Sequence, residues 1–282
     1  KGLHIYGYSG LDDGGVMFKM DSLFKDSLRA GNAWATKVIP LLDAPRVKEV
    51  AILFPAEMSL YEPLEVDTEG RHRMDLLGWY QQFTDLGWHV DIIHPDQVAA
   101  GALKDYKHLV IPTNSLYDLG DQPSLGSYGS AGNAALEAAV KKFVRAGGNV
   151  FHGPHCELAK RALGIKEQAI AFDCLDWDEE IIPHGWSTVA FKGGKAIAKY
   201  IRSGKSGIAQ TKLGKGNVFS FGFQYGYAYC RRTMPIVPPQ YGKREMHPVV
   251  LLTKTPAEKL AGISPLAPMK PVKGVEFARF GK

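Results

Sequence analysis

The stretch from Ala138 to Gly164 has the hydrophobic pattern of a helix, a strand and a second helix. The first helix carries its apolar residues on one face, namely Val140, Phe143 and Val144, and a glycine pair at 147–148 predicts its end. A short apolar strand and a tight Gly153-Pro154 turn follow. Units of this kind build parallel α/β sheets, in which the ligand crevice lies at the carboxyl ends of the strands.

Four apolar runs of strand length share this part of the chain: Glu49–Phe54, His89–Ile93, His108–Pro112 and Asn149–His152. Segments with helical spacing alternate with them, at Arg71–Leu86 and Asn133–Arg145. Continuous apolar runs are typical of strands that are covered on both faces. The alternation therefore predicts an α/β fold: an open, doubly wound, mostly parallel, flavodoxin-like sheet with right-handed crossovers.

The pattern changes after Gly164. We predict a main domain at 47–225 with an added β-rich insertion at about 169–216, which ends in a hairpin between Ile208–Lys212 and Asn217–Phe223. Aromatic residues then alternate in a way that predicts one long strand: Phe219, Phe221, Phe223, Tyr225, Tyr227 and Tyr229. Any part of this aromatic face left exposed would mark a contact with another subunit or domain.

The two ends of the chain differ from the main domain. Residues 1–46 contain one predicted strand, a glycine-rich loop and one helix, which together cannot cover their own apolar surface. We therefore interpret them as an N-terminal arm, the last part of a preceding domain. Residues 226–282 are aromatic, then basic and rich in proline, and form a predicted C-terminal extension.

Composition narrows the choice of partners. With 45% apolar and 22% charged residues among 282, the chain is ordinary for a globular protein. The net charge of +5 is too small to indicate a nucleic-acid partner, and no apolar run is long enough to indicate a membrane partner. Three cysteines without a CxxC pair favour reduced thiols in the cytoplasm, although a start at Lys1 rather than Met leaves secretion open.

Several blocks of sequence carry a family resemblance. EVAILFPAE, RHRMDLLGWYQQFTDLGWHVDII, YKHLVIP and the helix–strand–helix stretch resemble the trimerisation domain of family 42 glycoside hydrolases, the bacterial β-galactosidases. The resemblance covers roughly residues 47–165, with a weaker similarity at GKGNVFSFGF. It implies the fold of class I glutamine amidotransferases for the main domain, and the end of a glycosidase barrel for residues 1–46.

The resemblance also implies what the sharp turn should hold. Amidotransferases place a cysteine nucleophile between strand and helix, where the helix N-terminus lowers the pKa of the thiol. Alignment on the helix end at Lys160–Gly164 puts that position on Gly153, and no His-x-Glu pair stands near 224–226. The implied protein is a non-catalytic C-terminal part of a larger carbohydrate-active hydrolase. It would form a homo-oligomer, a trimer by the resemblance, and support an upstream catalytic domain.

Two other functions stay open. A stand-alone small-molecule hydrolase would use polar residues at the carboxyl edge of the sheet: Glu57, Asn114, His152 and His155. A carbohydrate-binding module would use stacking rings, for which the candidates are Trp177 and Trp186. The set His152, His155 and Cys156 offers zinc-type ligands, but it straddles a strand end, a turn and a helix start. Histidine capping of the turn is favoured, and neither a metal nor a cofactor is predicted.

Overall fold

The computed structural model of the chain describes residues 22–42, 45–54, 71–112, 134–171, 173–177, 180–184, 189–228 and 262. These residues fall into two compact units that divide between Val47 and Lys48. The first unit contains helix α1 (Ser22–Val38) and a 3-10 helix (Ile39–Leu42). Trp34 lies on α1 and is 65% exposed.

The second unit is organised around a mixed β-sheet. In the described part of the chain its strands are β1 (Val50–Leu53), β2 (Val90–Ile93), β3 (His108–Ile111), β4 (Asn149–His152), β5 (Lys166–Ala169), β6 (Asp173–Trp177), β7 (Glu180–His184), β8 (Val189–Lys192), β9 (Lys195–Lys199), β10 (Ser206–Leu213) and β11 (Gly216–Phe221). Strands β6 and β7 pair with each other in a small separate sheet, and the others form the large one.

The centre of the large sheet is parallel. Its strands lie in the order β2-β1-β3-β4-β11, which is the order of a doubly wound, flavodoxin-like sheet. Strands β1, β3 and β4 are buried at every position, as their continuous apolar runs predict. The structure thus confirms the predicted α/β class and the mostly parallel sheet, and it confirms the four predicted strands to within a residue at each end.

The remaining strands of the large sheet are antiparallel and extend it beyond β11. Strand β10 pairs with β11 in the predicted hairpin, with Ile208 opposite Phe221, and the sheet continues through β8 to β5. The prediction of one long aromatic strand is wrong after Phe221, because the chain bends at 222–223 and forms a helical turn at 225–228. Phe223 and Tyr225 are nevertheless buried, so the aromatic face belongs to the core.

Helices cover both faces of the parallel strands: α2 (Arg71–Asp85), α3 (Pro95–Ala99), a 3-10 helix (Ala102–Asp105), α4 (Ala134–Ala146) and α5 (Glu157–Leu163). Helices α3, α4 and α5 share one apolar cluster with Leu109, Val150 and Val218, whereas α2 shares the other with Phe151 and Phe219. Neighbouring residues of a strand therefore serve opposite cores, as the period of two requires. No helix in the described ranges has the length and apolarity needed to cross a membrane.

Glycines hold α2 close to the chain that follows β11. A Cβ atom added to Gly78 would lie 1.7 Å from the carbonyl oxygen of Gly226, and one added to Gly226 would lie 2.0 Å from the carbonyl oxygen of Asp75. The buried Asp75 carboxylate accepts a hydrogen bond of 2.9 Å from the backbone N–H of Tyr227. The two glycines thus allow the close approach of α2 to this segment, and the hydrogen bond from Tyr227 to Asp75 holds it there.

A neutral histidine lies in the aromatic core. The ring of His108 packs edge-on against Trp88 and near Phe151, with ring centroids 5.3 and 5.9 Å away. Neither ring nitrogen has a hydrogen-bond partner among the described residues. Burial, aided by the charge of Lys107, lowers the pKa of His108 from an ordinary value of 6.5 to about 4. The imidazole therefore stays uncharged in the folded protein at neutral pH.

We expect His108 to make the fold sensitive to acid. Because its pKa is lower in the folded than in the unfolded chain, its contribution to stability is complete above pH 6.5 and is lost as the pH falls towards 4. The loss amounts to about 3 kcal/mol of unfolding free energy at most. Urea unfolding of the wild type and of His108→Leu at pH 7.5, 6 and 4.5 measures it.

The variant should lose less stability than the wild type over the same pH range, because leucine has no proton to bind. The burial of His152 also lowers its pKa, so part of the acid sensitivity will remain in the variant. Parallel losses of stability in the two proteins would contradict the assignment of this effect to His108.

Candidate functional site

The carboxyl end of β4 leads into α5 through a sharp turn. Gly153 is buried, and its N–H donates a 3.3 Å hydrogen bond to the carbonyl of Ile111, which continues the pairing of β3 with β4. His155 has a φ of 56°, and it is the non-glycine residue with a positive φ in the described part of the chain. Such a conformation costs on the order of 1–3 kcal/mol and is concentrated at functional sites. The strained position of the turn thus carries an imidazole, two residues after Gly153.

His152 is completely buried and joins two neighbouring strands. Its Nδ1 lies 2.7 Å from the carbonyl oxygen of Gly153, and its Nε2 lies 2.7 Å from Oγ of Ser220 on β11. Burial lowers the pKa of His152, against the opposite effect of the hydrogen bond to Gly153. In the neutral ring Nδ1–H donates to the carbonyl, and Nε2 therefore accepts from the Ser220 hydroxyl. The pair resembles a base and its nucleophile, but Ser220 is only 1% exposed.

The cysteine beside the turn is inert. Cys156 occupies the N-cap position of α5 and is buried. Burial raises the pKa of the Cys156 thiol to about 12, which outweighs the hydrogen bond to the backbone of Ala159. The thiol is consequently protonated at neutral pH and is not a nucleophile.

A network of charged side chains covers the outer side of the turn. The Lys160 ammonium lies 2.8 Å from Glu157 and 3.1 Å from Glu167, and Nδ1 of His155 lies 3.9 Å from the same Glu167 oxygen. Burial would lower the pKa of Lys160, but the hydrogen bonds and charges of the two glutamates outweigh it and raise that pKa. The second carboxylate oxygen of Glu167 is buried and has no hydrogen-bond partner among the described residues.

Glu167 and Lys160 were not among the site residues predicted from the sequence. Glu167 lies on β5, in a short polar stretch, and it reaches the turn only because β5 pairs with β8 at the far side of the sheet. No spacing in the sequence joins it to His155. The one available signal was the charge of Lys160 on the first helical turns after the strand, which offers a cation to any neighbouring carboxylate.

The other candidates divide between described and undescribed parts of the chain. Glu57, Asn114 and Trp186 lie outside the described residues. Trp177 ends β6 and is half-buried, with its ring 6.2 Å from Phe221 and 6.1 Å from Tyr225 between centroids. Its ring therefore packs against the aromatic core, and a role in sugar stacking stays a prediction.

The zinc-type residues contact different partners. His152 is hydrogen-bonded to Gly153 and Ser220, whereas His155 lies beside Glu167 and the Cys156 thiol is buried. Within the described ranges, no group of three or more metal-ligating side chains is close enough to hold an ion.

A second turn with the geometry of an anion site is filled by the chain itself. The carboxylate of Asp173 accepts hydrogen bonds from the backbone N–H groups of Arg202, Ser203 and Cys174 at 2.8–3.0 Å. Burial opposes its ionisation, but these hydrogen bonds outweigh that effect and lower the pKa of Asp173 to about 2. A permanent internal carboxylate thus occupies the position that a bound anion would take.

Comparison with known proteins identifies the class of fold. No protein-family model matches the chain, and no curated protein matches its sequence. Gan42B, a GH42 β-galactosidase from G. stearothermophilus, matches the structure with a TM-score of 0.53 at 16% identity, over 75% of this chain and 33% of its own. The β-galactosidase of Bacillus circulans sp. alkalophilus matches with a TM-score of 0.53 at 13% identity, over 80% of this chain and 36% of its own.

The chain therefore has the fold of one part of these β-galactosidases and spans about a third of their length.

We expect Cys156 to resist alkylation in the folded protein. With a pKa of about 12, the thiolate population is roughly a thousandfold below that of an ordinary thiol, and burial also blocks access. Iodoacetamide at pH 8, followed by peptide mass spectrometry, measures the rate at each cysteine. The half-buried Cys174 is the internal reference, and guanidinium should make Cys156 as reactive as Cys174. Rapid modification of Cys156 in the native state would instead indicate an active thiol at the turn.

Proposed function

We propose that this chain is the non-catalytic, amidotransferase-like C-terminal part of a larger, β-galactosidase-like glycoside hydrolase. Its role is to hold the subunits of a homo-oligomer together, as a trimerisation domain does, and to support a neighbouring active site. In this proposal the catalytic carboxylates belong to an upstream domain, and the assembled enzyme acts on carbohydrate in the cytoplasm.

The observation that carries the proposal is the chemistry of the turn after β4. A hydrolase of the amidotransferase type needs an exposed thiolate there, with a base within hydrogen-bond reach. Gly153 has no side chain, the Cys156 thiol is buried and protonated, and His152 is enclosed between Ser220 and a backbone carbonyl. A sharp strand-to-helix turn without an available nucleophile supports a structural role.

The extent of the structural match is a second support. The similarity to the GH42 β-galactosidases covers most of this chain but only about a third of theirs. A segment that recurs as one part of larger hydrolases is more economically explained as a supporting domain than as a separate enzyme. On α1, the indole of Trp34 is 65% exposed and is a candidate contact for such an assembly.

A stand-alone hydrolase is the alternative, and one contact favours it. Ser220 is hydrogen-bonded to the imidazole of His152 and also lines a cavity of about 240 Å³ beside Phe191 and Thr211. A serine activated in this way could attack a carbonyl if a substrate reached it. Its burial argues against that access. The carbohydrate-binding alternative rests on Trp177, whose ring already packs in the core.

We expect the isolated chain to hydrolyse neither nitrophenyl β-galactoside nor glutamine, because Gly153 supplies no nucleophile at the turn after β4 and the Cys156 thiol and Ser220 hydroxyl beside it are buried. Release of nitrophenol and of ammonia measures the two activities, with a β-galactosidase and a glutaminase as positive controls. If turnover occurs and is abolished by His152→Ala and by Ser220→Ala, the chain is an enzyme. Thermal unfolding of both variants must show that they are folded for that conclusion to hold.

The chain should form a defined oligomer in solution that depends on Trp34. Light scattering after size exclusion is expected to give the mass of two or more whole subunits for the wild type. Trp34→Ser should shift the measured mass towards that of the monomer. The indole is exposed in the single chain, and a tryptophan that becomes buried in an interface contributes strongly to association. Asn32→Ser, at an exposed polar position of the same helix, is the matched control and should leave the oligomer intact. A monomeric wild type would remove the basis for an assembly role.

A further inference from the structure

A groove opens at the amino edge of the sheet, opposite the turn after β4. It has a volume of about 620 Å³ and lies between α4 and the segment that joins α3 to β3. Its walls are mainly apolar and include Val98, Leu103, Tyr106 and Phe143. A concave, mostly apolar site of this volume is within the range of small-molecule sites in proteins.

The polar side chains of the groove give it a positive charge. Lys104, Lys107 and Lys142 line it, and all three are exposed. No acidic residue is among the described residues that line the groove. The groove therefore carries three cations at the edge of an apolar surface.

Two carboxylates next to residues that line the groove already have partners. Asp105 forms an ion pair with Lys48 at 3.1 Å, and Asp91 accepts a hydrogen bond of 2.9 Å from the hydroxyl of Tyr106. Asp105 and Asp91 are therefore both engaged. The positive charge of the three lysines is thus available to an anionic ligand.

The walls of the groove are held in place before any ligand arrives. A Cβ atom added to Gly148 would lie 2.4 Å from the ring of Phe143, so the ring rests directly on the backbone of the turn. Tyr106 is fixed by its hydrogen bond to Asp91 and by Lys48, whose ammonium lies 5.4 Å from the ring centroid. Because Phe143 and Tyr106 are already fixed, ordering their side chains on ligand binding would cost little free energy.

We propose that this groove binds a small amphipathic carboxylate, with an aliphatic body against Phe143, Leu103 and Tyr106 and its carboxylate among Lys104, Lys107 and Lys142. The apolar walls supply affinity, and the lysines select an anion over a neutral or cationic amphiphile. The site is separate from the turn after β4, and its occupancy does not depend on the assembly role proposed above.

Calorimetric titration with sodium decanoate tests this proposal, below its micellar concentration and at 50 mM salt. We expect saturable binding at one site. Octanoate should bind more weakly, by roughly fourfold for each methylene removed. Decyltrimethylammonium, which has the same chain and the opposite charge, should bind at least tenfold more weakly than decanoate.

Two variants and one control locate the site. Lys104→Glu/Lys107→Glu/Lys142→Glu should weaken decanoate binding at least tenfold, and Ala139→Trp should do the same by filling the groove. The control Lys192→Glu/Lys195→Glu/Lys199→Glu changes the net charge equally at three exposed lysines on β8 and β9, and should bind like the wild type. If the triple glutamate variant is unfolded by circular dichroism, the corresponding triple glutamine variant replaces it, with the same expectation.

Several results would overturn the proposal. They are an absence of saturable decanoate binding, equal weakening by the control triple, unchanged binding to Ala139→Trp, and equal affinity for the cationic amphiphile. A fifth would be an acidic, leucine-containing peptide that binds tenfold more tightly than decanoate and competes with it, because the groove would then be a protein-docking surface.

Discussion

The fold depends on the position of β11 between β4 and β10. On one side β11 pairs in parallel with β4, and on the other it forms the antiparallel hairpin with β10. Its alternate residues serve different purposes: Phe219 and Phe221 enter the aromatic core, Val218 enters the opposite core, and Ser220 binds His152. One strand thus joins the parallel and antiparallel parts of the sheet and supplies both of its faces. Displacement of its register by one residue would exchange the two sets.

Glycines allow the helices to come close to the backbone at the two ends of this segment. A Cβ atom on Gly216, the first residue of β11, would lie 2.3 Å from the carbonyl oxygen of Val144 in α4. On the other face, Gly78 and Gly226 allow α2 to meet the chain beyond β11. The helices on the two faces therefore approach the two ends of the same segment through glycines. Trp79, next to Gly78 on α2, packs edge-on against Phe221, at 5.4 Å between centroids.

The parallel strands and the helices between them could be predicted from the sequence because burial on both faces produces continuous apolar runs such as that of β1. The aromatic segment was harder to predict, since Phe223 and Tyr225 continue the alternation of a strand although the chain has left the sheet. Their burial comes from the chain folding back on α2, which is a tertiary contact. The charged network at the turn was unpredictable for a similar reason: Glu167 comes from an antiparallel strand whose place in the sheet no local pattern specifies.

Burial explains why the turn after β4 lacks an available nucleophile. His152 has a serine at one ring nitrogen and a carbonyl at the other, which is the arrangement of a base beside a nucleophile, but both side chains are buried and closed to a substrate. A nucleophilic thiol needs a stabilised anion, but desolvation raises the pKa of Cys156. At the second turn, the Asp173 carboxylate fills the N–H groups that an external anion could have used.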